Sequence, residues 1–109
     1  MERKPTMGSP LICDLTAMDA EQRERHHVVA QHLHGAVQEV RELSDGYALR
    51  FSVEPSIVLL AAEFITLERL CCPFLTLVLE VECERGPLWL KMTGREGVKQ
   101  FLRAELGLG

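Results

Sequence analysis

Two hairpin signals, each followed by a helix signal, constrain the fold of this chain more than any other feature. Gly46 and Gly86 mark the turns of two predicted hairpins, and Pro55 and Arg95 open the helices that follow. Both pairs of positions are separated by 40 residues. Glycine suits a tight turn between apolar runs, and proline suits the first turn of a helix. The sequence therefore predicts a hairpin-plus-helix unit that occurs twice, although the two copies share little residue identity.

The strands of these hairpins are predicted from side chains that alternate between apolar and polar. Residues 37–43 and 47–53 form the first hairpin, and residues 74–83 and 88–93 form the second. Such alternation places every second side chain on the same face of a strand. A further short strand is predicted over residues 11–16, because its apolar side chains also recur at a period of two.

Helices are predicted between and around these strands. Asp19 is a good N-cap for a helix from Ala20 to about residue 34, and Gln22 completes a capping box. A second helix covers residues 55–71 and a third covers residues 95–105. The expected fold class is α+β: an antiparallel sheet of four to five strands built from two hairpins, with about three helices mainly on one face.

Length and composition limit the domain organisation and the classes of partner. The chain has 109 residues, of which 47% are hydrophobic and 26% are charged. This length and composition predict a single α+β domain over residues 9–109, preceded by a flexible N-terminal tail over residues 1–8. The net charge of −4 argues against nucleic acid as a partner. We expect no membrane partner, because no apolar run approaches the roughly 18 residues of a membrane helix.

The cysteines are expected to be reduced. The N-terminus carries charges with no apolar stretch of secretory-signal length behind them. We therefore expect a cytoplasmic location, where thiols stay unpaired. A chain of this size does not need its four cysteines as two structural disulfides.

Cys71-Cys72-Pro73 is the segment that points to a functional site. Proline restricts the preceding residue to extended backbone, so the helix is expected to stop near Cys71. The two sulfurs then lie at a junction between a helix and a strand. In a structural interpretation, Cys71 continues the apolar stripe of its helix and simply packs, because free cysteine is often buried.

A second interpretation is a soft-metal site. Adjacent thiolates can bind Zn(II), Cu(I), Hg(II) or As(III), since thiolates select soft ions. A closed site would recruit Cys13 or Cys83, or complete itself across a homodimer, because Cys-Cys lacks the spacer of a structural zinc motif. The predicted metal ligands are therefore Cys71, Cys72, Cys13 and Cys83.

A third interpretation is redox or nucleophilic catalysis, which the local electrostatics disfavour. The pair lies at the negative end of the helix dipole, and Glu68 adds a like charge one turn earlier. Cys72 lies off the apolar stripe, so it is expected to be the more accessible sulfur and Cys71 the more buried. We expect a binding site rather than an enzyme.

Other residues that carry chemistry give weaker patterns. His26, His27, His32 and His34 fall within one helix but lack the H-E-x-x-H pattern of a zinc enzyme, so solvated or interface histidines are expected. Glu63 and Glu68 are expected on the solvated edge of their helix. Trp89 is expected near an edge of the sheet, where it would anchor a homodimer or a ligand rim.

Two segments of the chain resemble a group of small bacterial proteins. Residues 67–75 read LERLCCPFL and match an ER-x-CCPFL pattern, and residues 93–102 match T-G-x-x-G-x-K-x-FL. The stretch LWL at residues 88–90 and DGYALRF at 45–51 add to the likeness, which covers most of residues 11–104. The group has no assigned activity, so the resemblance singles out Cys71 and Cys72 without implying a reaction.

Together these observations predict thiol-based binding or sensing of a soft metal ion or thiol-reactive species at Cys71 and Cys72. The partner would be a small ion or small molecule. The alternative is a non-catalytic module that binds a ligand or a protein and uses its cysteines only for packing.

Overall fold

The structure, a computed structural model, describes residues 9–108 and has an α+β fold. The predicted tail over residues 1–8 lies outside the described residues. These residues form a 3₁₀ helix, three α-helices and four strands. Their order along the chain is 3₁₀ Leu15–Ala17, α1 Ala20–Ala36, β1 Glu39–Leu43, β2 Gly46–Phe51, α2 Pro55–Cys71, β3 Thr76–Val81, β4 Leu88–Thr93 and α3 Val98–Glu105. Between residues 9 and 108, no helix is both long enough and apolar enough to cross a bilayer.

The sheet is antiparallel throughout and has the strand order β1-β2-β4-β3. Each predicted hairpin forms, and the second strands of the two hairpins pair at the centre with Leu49 opposite Leu90. The predicted fold class is confirmed, with four strands. The repeated hairpin-plus-helix order is also present, since α2 follows the first hairpin and α3 follows the second.

All three helices pack on the same face of the sheet. Alternate side chains of β2 and β4 enter one core together with buried side chains of α1, α2 and α3; its members are Val29, Leu33, Tyr47, Leu49, Phe51, Ile57, Ala61, Leu88, Leu90, Met92, Val98 and Leu102. On the opposite face, Trp89 lies in a central strand rather than at an edge as predicted. It is 4% exposed, and the guanidinium of Arg41 lies 4.3 Å from the centre of its ring.

The predicted strand over residues 11–16 is wrong. This segment bends and then forms the 3₁₀ helix, because the carboxylate of Asp14 accepts hydrogen bonds from the backbone and side chain of Thr16 and caps it. Instead of pairing with a sheet edge, the segment packs against the C-terminal end of α2, where the Asp14 N–H donates to the carbonyl of Cys71 at 2.9 Å.

Helix boundaries follow the capping residues, with two differences from prediction. The capping box of Asp19 and Gln22 forms as expected. Helix α1 continues through Gly35 to Ala36 instead of stopping near residue 34. Helix α3 begins at Val98 rather than at residue 95, because Gly97 has φ 98° and a left-handed residue interrupts a helix.

Gly46 permits the central pairing of the sheet, and its substitution tests that role. A Cβ at this position would lie 1.9 Å from the carbonyl oxygen of Met92 in β4. We expect Gly46→Ala to destabilise the fold by about 3 kcal/mol, because β2 and β4 must separate to accept the methyl group. Gly35 is the matched control, since nothing lies within 4 Å of its added Cβ. Gly35→Ala should stabilise by about 0.5–1 kcal/mol. Urea unfolding measures both; a Gly46→Ala protein as stable as wild type would contradict the close approach.

Candidate metal centre

Helix α2 ends at Cys71, as the proline predicted. Cys72 is the C-cap, with φ −131° and ψ 66°, and its N–H still donates to the carbonyl of Glu68 at 2.8 Å. Pro73 has no N–H and cannot continue the helix. The chain turns at this point and enters β3 at Thr76. The two adjacent cysteines are thereby fixed at the junction between a helix and an edge strand.

Three sulfur atoms converge at this junction. The Sγ atoms of Cys13, Cys71 and Cys72 all lie within 4.8 Å of one another. Those of Cys71 and Cys72 are 3.9 Å apart. Cys13 arrives from the segment before α1, which the hydrogen bond between Asp14 and Cys71 holds against the end of α2. The structure therefore contains a group of cysteines close enough to bind one metal ion.

The sulfurs of α2 are both buried, which corrects the expectation that Cys72 is the accessible one. Cys71 is 0% exposed and Cys72 is 1% exposed. Met18 and Leu67 cover them as part of a small second core, and Cys13, Leu70, Phe74, Leu75 and Phe101 pack around it. Sequence periodicity placed Cys72 off the stripe of α2, but the segment before α1 folds over that side.

A histidine and a carboxylate lie beside the three sulfurs. The Nε2 of His26 of α1 lies 2.7 Å from the Oε1 of Glu68 of α2, within hydrogen-bond distance, and their side chains are only 16% and 12% exposed. The Sγ of Cys71 lies 3.9 Å from the same Nε2 and 3.8 Å from the same Oε1. These three atoms also lie close enough together to hold a metal ion. Cys71 thus belongs to both groups.

The arrangement differs from a catalytic triad. In a triad, one ring nitrogen faces the nucleophile and the other is held by the carboxylate. Here a single nitrogen of His26, Nε2, faces both the sulfur of Cys71 and the carboxylate of Glu68. Three potential ligand atoms therefore lie close enough together to hold one metal ion.

The three thiols have very different acidities. The pKa of Cys71 is lowered to about 7, chiefly because the thiol of Cys72 donates a hydrogen bond to its thiolate; burial and Glu68 oppose this effect, and Cys13 and the charge of His26 support it. The pKa of Cys72 is raised because its proton is held by Cys71. Burial raises the pKa of Cys13 to about 12. The prediction from the helix dipole missed this thiolate because it omitted the two neighbouring sulfurs.

The remaining predicted residues lie elsewhere. Cys83 is exposed and follows β3, whereas Cys72 precedes it, so the six residues of the strand separate them by roughly 20 Å. His27, His32 and His34 are exposed, as expected. Glu63 pairs with Arg25 of α1 through two hydrogen bonds at the surface.

Two members of the cluster, His26 and Glu68, were not predicted as site residues. Glu68 was expected on the solvated edge of its helix and as a charge that opposes a thiolate, but its side chain is only 12% exposed, because it lies three residues before Cys71 and shares its face of the helix. His26 gave no local signal, because it is separated from Cys71 by 45 residues. Only the packing of α1 on α2 brings it to the sulfur.

A cavity of about 380 Å³ adjoins the cluster. Cys13, His26 and Glu68 form part of its wall, and most of the remaining wall is apolar and comes from α1, α3 and the sheet.

No family model, curated protein or solved structure matches this chain. The geometry of the site therefore carries the functional argument.

The lowered pKa of Cys71 can be measured directly. In reduced, metal-free protein, the ultraviolet absorbance of thiolate should rise with a midpoint near pH 7, two units below the ordinary value of 9.0. Cys71→Ser should remove this step. Cys72→Ala should move it to higher pH, because the thiolate loses its main hydrogen-bond donor.

Cys83→Ser is the control for this titration, since Cys83 lies outside the cluster. It should keep the step near pH 7. A wild-type protein whose thiols all titrate as they do after unfolding would contradict the electrostatic description of the cluster.

Proposed function

We propose that this protein binds a soft metal ion through Cys13, Cys71 and Cys72. The observation that carries the proposal is the convergence of three sulfurs within 4.8 Å, two of them fully buried. Thiolates select soft ions such as Cu(I), Zn(II), Hg(II) and As(III). Cys83 is not part of the proposed ligand set.

The sulfur spacing supports a shared ion. A tetrahedral zinc site with Zn–S bonds of about 2.3 Å has sulfurs about 3.8 Å apart. The observed separation of Cys71 and Cys72 is 3.9 Å, so these two side chains need little movement to share an ion. Cys13 lies on an irregular segment between Pro10 and the 3₁₀ helix, where a small rotation of the side chain can close the remaining distance.

His26 gives the site a possible fourth ligand. Its Nε2 is 3.9 Å from the sulfur of Cys71, and zinc sites with three cysteines and one histidine are common. An ion that prefers three thiolates would leave His26 paired with Glu68, where it stabilises the charge of Cys71. The choice between these two modes depends on the ion.

The alternative function is supported by a different observation. Cys71 and Cys72 are almost entirely buried among apolar side chains, as expected for cysteines that only pack. In that case the protein would bind a ligand or a partner elsewhere, and the sulfurs would have no affinity for metal beyond that of any accessible thiol.

Metal titration separates the two functions. Reduced protein titrated with Zn(II), Cu(I), Hg(II) or As(III), against a competing chelator or dithiol, should bind one equivalent of at least one of these species. Cys71→Ser should weaken binding by at least about 100-fold, because a ligand is lost outright and even outer-shell losses cost 10- to 100-fold.

Cys83→Ser is the matched control and should bind as wild type does, since it removes an exposed cysteine outside the cluster. Loss of binding in Cys83→Ser but not in Cys71→Ser would reject the proposed ligand set. Equal weak binding by all the proteins and by unfolded chain would favour the structural role.

The pH dependence of binding provides an independent count of the protons displaced. Between about pH 7 and pH 9, Cys71 is ionised in the free protein whereas Cys13 and Cys72 are not. Binding of an ion that enters as the hydrated cation, such as Zn(II), to the three thiolates should then release about two protons. The logarithm of its affinity should rise by about two per pH unit in this range and by about three per unit below pH 7. Calorimetry in buffers of different ionisation enthalpy measures the proton release; a value near zero would contradict thiol ligation.

A further inference from the structure

We propose that the species bound by the sulfur cluster carries one apolar organic group, which occupies the adjoining cavity. The ligand class is a thiophilic metal or metalloid centre with a single alkyl or aryl substituent. This inference rests on the proposed function and narrows its substrate. A bare inorganic ion would leave an apolar cavity beside its ligands empty, whereas the organic group of an organometallic ion would fill it.

The cavity and the cluster share walls. Cys13 is both a member of the sulfur group and a cavity-lining residue. His26 and Glu68 line the cavity as well, and the Nε2 of His26 lies 3.9 Å from the sulfur of Cys71. A soft centre held by Cys13 and Cys71 would therefore lie beside the cavity wall, where its third substituent can enter the cavity.

The chamber is large enough and apolar enough for that substituent. Its volume is about 380 Å³, and an apolar cavity of about 150 Å³ already admits benzene. Among residues 9–108, the polar groups of its wall other than Cys13 are His26 and Glu68 beside the sulfurs and His34 and Glu105 farther away. All its other lining residues are apolar.

The two histidines that line the cavity are well separated along α1. His26 and His34 both line the cavity, and eight helical residues span about 12 Å. His26 lies at the cluster, whereas His34 is exposed, as are Glu105 of α3 and Val40 of β1. The cavity therefore has a reactive end at the sulfurs and an end open to solvent through which a ligand can enter.

Monoaryl arsenic(III) and inorganic arsenic(III) form a matched pair of probes. Phenylarsine oxide, hydrated in water, has one As–C bond and two As–OH groups. Two thiols displace both hydroxyl groups: two As–S bonds form, two water molecules leave, and arsenic stays trivalent with its phenyl group attached. Arsenite exchanges three hydroxyl groups with three thiols and releases three water molecules. We assign Cys13 and Cys71 to the phenyl species, and all three sulfurs to arsenite.

The experiment compares the affinities of the two probes in reduced Cys83→Ser protein, which lacks the exposed thiol. Affinities are measured by competition with a small dithiol, so that the intrinsic preference of thiols for each probe cancels. The phenyl preference, the ratio of the two affinities, should exceed that of unfolded chain by about tenfold or more, because the cavity buries the ring.

Two substitutions on α1 test where the ring lies. Ala30→Phe fills the cavity from its wall and should abolish the phenyl preference while arsenite still binds. Val28→Phe adds a ring to the same helix at a side chain that is 43% exposed, and it should change neither affinity. Cys72→Ser should weaken arsenite much more than phenylarsine oxide.

Methyl NMR gives a readout that does not depend on the variants folding. Phenylarsine oxide should shift the methyl signals of Met92 and Leu33 through the ring current, and arsenite should leave them nearly unchanged. The methyl groups of Leu59, which is 70% exposed, are the control. If neither probe binds although Zn(II), Cu(I) or Hg(II) does, only the present inference is overturned; if none of these species binds, the proposed function fails as well. If arsenite binds but the phenyl group adds no affinity and shifts no cavity methyl, only the present inference is overturned.

Discussion

One backbone hydrogen bond assembles the candidate site. The last carbonyl groups of a helix lack hydrogen-bond donors within the helix. Pro73 stops α2, so no further turn of the helix supplies these donors. The Asp14 N–H donates to one of these carbonyls, that of Cys71. The residue before Asp14 is Cys13, so the bond that caps α2 also delivers the third sulfur. The 3₁₀ helix that follows carries the chain to Met18, which covers the cysteines.

The charges of the cluster explain why a cation suits it. When Cys71 is ionised, its sulfur lies 3.8 Å from an oxygen of Glu68, and a thiolate and a carboxylate so close and so little exposed repel each other. His26 partly compensates both, since its Nε2 is the shared neighbour. A bound cation would remove the remaining repulsion and allow Cys72 to ionise. Relief of this repulsion would favour capture of a positive, soft centre, whereas it is the hydrogen bond from Cys72 that chiefly lowers the pKa of Cys71.

The sequence determined most of the fold but only part of the site. Helix α2 was predicted to its terminal residues because proline marks both of its ends. The strand predicted over residues 11–16 failed because alternation over so short a segment does not outweigh the local hydrogen bonds of Asp14. Cys13 was correctly considered as a supporting ligand, but His26 was not. Its approach to Cys71 depends on how α1 packs against α2, and no local pattern encodes that packing.

The cavity exists partly because of the side chains that α1 places along its wall. Residues 26, 30 and 33 follow one another at helical spacing on α1 and line the cavity, and Val37 lines it just after the helix ends. Position 30, one turn after the histidine beside Cys71, is alanine, and its short side chain leaves space above the central strands. A protein that used its cysteines only for packing would gain stability by filling this space, whereas one that holds an organic group beside three sulfurs requires it.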